Sequence, residues 1–215
     1  MDWVRFNWGW GHWVMGGPTK LVTRLRVYGR DRIPSKGGVV VAFNHFSWID
    51  IPAFGWAAPR PFYFLTKAEA IRVPVAGAYL ELFGAFAVRR GESDRDAVRR
   101  MREIVRDGNV LGVFAEGTRQ RSGVPGHVQP GAAMVALNED VPVVCAAIHG
   151  SETWKIGSRA PVSVAFGRPM RFEGLPAGSK GYRAASEQIE AELRRLWAWL
   201  REQHAAGRPR HVTLP

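Results

Sequence analysis

From residue 38 onward the chain alternates between short, wholly apolar runs and longer amphipathic stretches. Residues 38–43, Gly-Val-Val-Val-Ala-Phe, follow a Lys-Gly-Gly turn as a β-branched run and predict a buried strand. Over 93–107 the period becomes helical. Val98, Met101, Ile104 and Val105 share one face, Ser93 with Asp96 can cap the start, and Gly108 can close the end. A strand over 109–114 follows, then a loop rich in Gly, Arg and Ser, a short apolar helix after Pro130, and a buried strand over 141–148. Residues 162–166 and 169–172 predict two late strands around a Gly167-Arg168 turn. Residues 182–204 predict an amphipathic helix with Ala185, Ile189, Leu193, Leu196 and Leu200 on one face. Strands separated by helices predict an α/β sheet flanked by helices.

The first residues follow another pattern. At helical spacing Trp3, Phe6, Trp10, Trp13 and Val14 fall on one face, while Gly9, Gly11, Gly16 and Gly17 weaken the helix. Two readings stand: an amphipathic segment lying in a membrane interface, where binding supplies the order that propensity lacks, or an aromatic arm packed on the protein's own core. Asp2 and the interrupting polar residues make the run a poor secretory signal. The longest apolar stretch, 73–88, is broken by Pro74 and Glu81 and falls short of the roughly 20 residues that cross a bilayer. It reads equally as an acyl-chain groove, with Gly77, Ala78, Gly84 and Ala85 as small lining residues, and as plain core.

Composition changes this picture in one respect. The 215 residues are 46% hydrophobic and 23% charged, which fits one globular domain with an appendage and excludes disordered and low-complexity classes. The charge is lopsided: 30 Lys+Arg against 19 Asp+Glu give a net +11, which favours a polyanionic partner such as nucleic acid, anionic lipid or a phosphate-bearing substrate. Part of the excess sits at the start, where Arg5, Lys20, Arg24, Arg26, Arg30, Arg32 and Lys36 face only Asp2 and Asp31 within residues 1–36. The single cysteine, Cys145, excludes an internal disulfide and fits a reducing compartment. It lies inside a buried run with no nearby base, which reads as inert core.

Chemistry concentrates after two of the predicted strands. Asn44-His45-Phe46-Ser47-Trp48-Ile49-Asp50 follows the first, and its His and Asp can meet only if the chain turns from strand through loop into helix, with Asp50 in the first turns. An imidazole oriented by a carboxylate can take a proton from an alcohol. Ser47 reads as a turn residue bonding its own loop. The second block, Phe114-Ala115-Glu116-Gly117-Thr118-Arg119, places a carboxylate, a permissive glycine, a hydroxyl and a guanidinium at a strand end. Arg119 offers a planar fork suited to phosphate, and Gly117 lets backbone N–H groups approach it. Between them, Gly84-Ala-Phe-Ala-Val-Arg89-Arg90-Gly91 ends an apolar run in two arginines. Of the other histidines, His127 and His149 lie near loops, whereas His12, His204 and His211 read as surface or tail residues. No cluster has metal-ligand spacing, and no phosphate-binding glycine motif of a nucleotide enzyme is present.

In this order the blocks resemble the PlsC-type glycerolipid acyltransferase family, the 1-acylglycerol-3-phosphate O-acyltransferases and their lysophospholipid relatives, whose His-x4-Asp motif matches His45 and Asp50. The resemblance runs from Tyr28-Gly29 through Thr66-Lys67 and Arg90 to Gly167-Arg168-Pro169, about two thirds of the chain. It implies a glycerol-3-phosphate acyltransferase-like sheet over 25–215, with 1–24 as an N-terminal membrane-associating segment. His45 would be the general base and Asp50 its orienting partner. Lys67, Arg90, Glu116, Gly117, Thr118 and Arg119 would bind the acceptor, with Arg119 on phosphate and Glu116 either holding glycerol or ordering the loop. The acyl donor would be acyl-CoA or acyl-carrier protein, with no cofactor. The acceptor would be a lysophospholipid, the partner an anionic membrane surface rather than nucleic acid, and the location peripheral, on the cytoplasmic face. Ala115, Cys145 and Arg89 depart from the family's usual residues, so acceptors other than lysophosphatidic acid stay open, as does a thioesterase that uses water.

Overall fold

A computed structural model of the chain describes residues 3–67, 71–74, 77, 80–81, 84–88 and 95–215. Its centre is a seven-stranded sheet in the order β1-β7-β6-β2-β5-β3-β4. The strands are β1 (Arg26–Tyr28), β2 (Val39–Phe43), β3 (Phe62–Lys67), β4 (Ala85–Val88), β5 (Val110–Phe114), β6 (Val143–His149) and β7 (Ser163–Met170). Neighbours run parallel except β6 and β7, which pair antiparallel. Every residue of β2 is buried between β5 and β6, as a continuous apolar run in a parallel sheet requires.

Among the described residues the helices with full bounds are α1 (Trp3–Thr23), α2 (Asp50–Ala57), α3 (Arg95–Arg106), α4 (Gly131–Glu139) and α5 (Ser179–Ala205). On α3, Ala97, Met101, Ile104 and Val105 turn inward and Gly108 follows with φ +75, the left-handed stop that glycine tolerates. Arg102 and Arg106 of α3 both pair with Glu139, tying α3 to α4. The long helix α5 buries Ala185, Ile189, Leu193, Leu196 and Leu200.

Two expectations change. The late strands over 162–166 and 169–172 are one strand, β7, because Gly167 does not turn. A Cβ there would lie 2.7 Å from Glu192 Oε1 and 3.1 Å from Leu196 Cδ1, so this glycine permits the close approach of α5. Pro169 is tolerated because β1 pairs with Ser163 to Ala165 and, among the described residues, no strand pairs with Pro169 on that side. The first residues form a helix that reaches Thr23, despite its glycines and Pro18.

Packing explains the reach of α1. Trp13 meets Trp56 of α2 edge-on at 5.6 Å, Trp8 lies 6.2 Å from Phe62, and the Lys20 ammonium sits 5.6 Å over the Trp56 ring. Gly16 is the contact point, since a Cβ there would be 2.0 Å from that ring. The side chains of Trp3, Phe6 and Val14 lie outside the described residues, so the full aromatic face proposed for them does too. Among the described residues, no helix is long and apolar enough to cross a membrane.

Candidate active site

β2 delivers Asn44 and His45 to the carboxyl-terminal edge of the sheet, and β5, in register beside it, delivers Phe114, Ala115 and Glu116. Open parallel sheets place ligand sites at this edge. Asn44 extends the pairing of β2 with β6 by side chain alone. Its Nδ2 donates to the Ile148 carbonyl at 3.0 Å and its Oδ1 accepts the Ile148 N–H at 2.8 Å, both bonds being buried.

Beyond His45 the chain turns, Asp50 N–H donating to the Ser47 carbonyl at 3.2 Å, and α2 begins at Asp50. The carboxylate folds back over its own turn. Oδ2 accepts the N–H groups of Phe46 at 2.7 Å and Ser47 at 2.8 Å and lies 2.8 Å from His45 Nδ1. A carboxylate accepts, so the neutral ring holds its proton on Nδ1 and keeps a lone pair on Nε2. Asp50 is fully buried while 14% of the His45 side chain stays accessible. Among the described residues no donor reaches Asp50 Oδ1. The His45 ring stacks on Phe114 at 4.1 Å and 28°, and Phe43 and Phe54 brace Phe114 from behind.

Glu116 points inward, only 3% exposed. Its Oε2 accepts the N–H of His45 and its Oε1 that of Gly126, each at 2.8 Å. Burial outweighs these two donors, and the negative Asp50 adds to it, so the Glu116 carboxyl is pushed up to about 7. Gly117, at φ +69, donates to the Phe114 carbonyl at 2.9 Å and makes the tight turn that follows β5. Gln120 N–H then bonds the His45 carbonyl at 2.7 Å, which holds the adjacent Arg119 beside the His45 backbone. Thr118 and Arg119 are exposed. The structure thus brings His45, Asp50, Glu116, Gly117, Thr118 and Arg119 to one edge. The side chain of Lys67 and the whole of Arg90 lie outside the described residues, as does much of 73–88.

Asn44 and Phe114 carry weight that sequence reading missed. The available signal was their position, each ending a buried run directly before a reactive residue. Cys145 is buried in β6, where burial pushes its thiol up, and its Sγ faces Met170 Sδ and the Ile189 carbonyl. His127 pairs with Glu190 at 2.9 Å and His149 lies 3.1 Å from Glu152. His204 is not a tail residue: its Nε2 bonds Ser163 Oγ at 2.8 Å, its ring packs on His149, and burial pushes it down to about 4. Among the described residues, no three His, Cys, Asp or Glu side chains could hold a metal ion.

The family described as Acyltransferase matches residues 24–149, from the end of α1 to the end of β6. A 1-acyl-sn-glycerol-3-phosphate acyltransferase of Bacillus subtilis is 25% identical over 177 residues, covering 80% of this chain and 87% of that one. A lyso-ornithine lipid O-acyltransferase of Pseudomonas aeruginosa is 42% identical over 76 residues, 35% of this chain and 29% of that one. The crystal structure of the 1-acyl-sn-glycerophosphate acyltransferase PlsC from Thermotoga maritima shares the fold with a TM-score of 0.69 at 22% identity. That match covers 86% of this chain and 76% of the other.

Proposed function

This chain belongs to the acyltransferase family, and on that premise we propose that it moves a fatty acyl group from acyl-CoA or acyl-carrier protein to the free hydroxyl of a lysophospholipid. The acceptor we favour is 1-acyl-sn-glycerol-3-phosphate, and the product is then phosphatidic acid. One observation carries this reading: an imidazole with its tautomer set by Asp50, at the same strand edge as a loop that ends in an exposed arginine.

In the proposed reaction, His45 Nε2 takes the proton of the acceptor hydroxyl as that oxygen attacks the thioester carbonyl. The carbon–sulfur bond then breaks and the leaving thiolate recovers the proton from the imidazolium. Asp50 stabilises the charged ring, and transfer is direct, since the inward-facing Cys145 is no nucleophile. Arg119 takes the acceptor phosphate, with Thr118 and Gly117 shaping the loop around it. Lys67 and Arg90 are assigned to the same phosphate by resemblance alone. Glu116, with both oxygens already on backbone N–H groups, takes the loop-ordering role rather than the glycerol. Holding a dianionic phosphate with several cations fixes the hydroxyl near the base, and positioning of this kind lowers a barrier by several kcal/mol. The donor supplies the activated acyl group, so no cofactor is assigned. The proposed partner is an anionic membrane surface on the cytoplasmic side.

The segment shared with the lyso-ornithine lipid relative supports a second reading, in which the acceptor is a lyso-aminolipid. Acyl transfer measured with lysophosphatidic acid and lyso-aminolipids, each with both donor types, separates the two. Transfer to the phosphate-bearing acceptor alone is the expected result. Release of free fatty acid without any acceptor would replace both with a thioesterase.

A further inference from the structure

The loop that carries Arg119 leaves β5 through Glu116 and returns to α4 at Pro130, and main-chain donors fix its return. Gly126 N–H goes to Glu116 Oε1 at 2.8 Å, Val128 N–H to Glu190 Oε2 at 3.0 Å and Gln129 N–H to the Ala115 carbonyl at 2.7 Å. Ala115 and Glu116 stand directly after β5, inside the site itself. Glu190 comes from elsewhere: it projects from α5, beyond the residues 24–149 that the family matches.

Its setting is that of an anchor rather than a surface ion pair. Val128 is 1% exposed, so its N–H cannot turn to water, and a buried donor left without an acceptor forces the chain around it to move. Ile189 and Leu193, on either side of Glu190 along α5, are buried and fix the helix that carries the carboxylate. Partial burial raises the Glu190 carboxyl, but the Val128 N–H, His127 Nδ1 at 2.9 Å and Arg194 Nε at 3.2 Å outweigh it and hold the group below the usual carboxylate range. Val128 therefore donates to a charged acceptor.

The loop carries this anchor to the acceptor side. A Cβ on Gly126 would lie 2.7 Å from Gln120 Cδ, and one on Gly117 would lie 3.5 Å from Gln129 Cγ, so the two ends of the loop rest on each other. Gln120 N–H holds the His45 carbonyl at 2.7 Å, and Arg119 is the next residue back along the chain. His45 itself is set separately, by Asp50 and Glu116.

We propose that Glu190 is a positioning residue for acceptor recognition: through the Val128 N–H it sets the loop so that Arg119 meets the acceptor phosphate beside His45. This rests on the phosphate role proposed for Arg119. Loss of Glu190 should therefore fall on binding of the acceptor and spare the base.

The test uses the full chain. Alanine suits a helix, so α5 should persist in Glu190→Ala, where KM for lysophosphatidic acid should rise about tenfold with kcat within about twofold of wild type. Glu190→Gln keeps an oxygen for the Val128 N–H and should recover most of that loss. Arg194→Ala removes the ion pair but leaves the carboxylate on Val128, so KM should stay within about twofold of wild type. In an Arg119→Ala background the effect of Glu190→Ala on KM should vanish, because the two act as one unit. Amide hydrogen exchange gives a readout independent of turnover: the Val128 N–H should exchange at least about tenfold faster in Glu190→Ala, with the Ile148 N–H unchanged. Unaltered exchange at Val128 would overturn the proposal whatever the activity. So would a loss carried by kcat, or a rise in KM that persists in full without Arg119. Faster exchange at Val128 in a chain that turns over no lysophospholipid would keep the anchor and remove the proposed reaction.

Discussion

Glu116 accepts the backbone N–H of His45 at 2.8 Å, so the position of the base is set by a carboxylate 71 residues further along the chain. The same carboxylate takes the N–H of Gly126 and so ties the loop carrying Arg119 to the turn carrying His45. Its cost appears in pH. The folded state pushes Glu116 up to about 7 from an ordinary 4.5, so folding binds a proton that the unfolded chain has already released. The stabilising contribution is therefore full below about pH 4.5 and is lost as pH rises through 7. In Glu116→Gln this titration is absent. Measured by urea unfolding, wild type should lose about 3 kcal/mol relative to the variant between pH 4.5 and 8, and no more above that. A difference independent of pH would show that Glu116 does not titrate in this range.

Asp50 does two tasks through one oxygen, and an isosteric change separates them. In Asp50→Asn the amide oxygen can still accept the Phe46 and Ser47 N–H groups, so the turn into α2 persists. What is lost is the negative acceptor that keeps the His45 proton on Nδ1. The expected outcome is a fall in kcat of about 100- to 10,000-fold with a melting temperature within a few degrees of wild type. His45→Ala should abolish turnover with the fold intact. Near-normal activity in either variant would remove the pair from the chemistry.

Sequence pattern reached the parts of this molecule governed by continuous burial or a single period. Val39 to Val41, the inward face of α3 and the leucine face of α5 could be read because their neighbours in the chain carry the signal. β1 could not: Arg26, Val27 and Tyr28 sit among cations, and their extended form comes from pairing with Ser163, Val164 and Ala165. Gly167 imitates a turn, while its real constraint is the approach of Glu192 and Leu196 from α5. The His45–Asp50 spacing pointed to a strand, a turn and a helix in succession, which the chain adopts. The place of Glu116 stayed ambiguous because its partners are backbone groups of distant residues, and main-chain donors leave no trace in side-chain identity.

Asn44 tests whether the edge of the sheet is held by side chains. Both its amide atoms bond Ile148 in a fully buried setting, so Asn44→Ala leaves one N–H and one C=O without partners. Each orphaned group costs about 1–3 kcal/mol, and a total loss of about 3 kcal/mol in urea unfolding is expected. Asn44→Asp should be no better, because it removes the donor and buries a charge. A loss under about 1 kcal/mol would mean that water or a shift of β6 replaces the clamp.

Arg119 decides whether the acceptor is recognised by its phosphate. It is exposed, and the Gln120 N–H bond to the His45 carbonyl holds its backbone beside the base without involving its side chain. Arg119→Ala should therefore leave the geometry of His45 and Asp50 intact and remove only a charge-assisted contact to the acceptor. A hydrogen bond to a charged group contributes about 1.5–3 kcal/mol, which corresponds to a rise of roughly 10- to 100-fold in KM for lysophosphatidic acid. The change in kcat should be much smaller, because the base still operates once acceptor is bound. Arg119→Lys should recover part of the loss, since an ammonium keeps the charge but not the two-pronged geometry. An unchanged KM for the phosphate-bearing acceptor would refute the phosphate role. A KM that rises equally for an acceptor lacking phosphate would reassign Arg119 to ordering the loop.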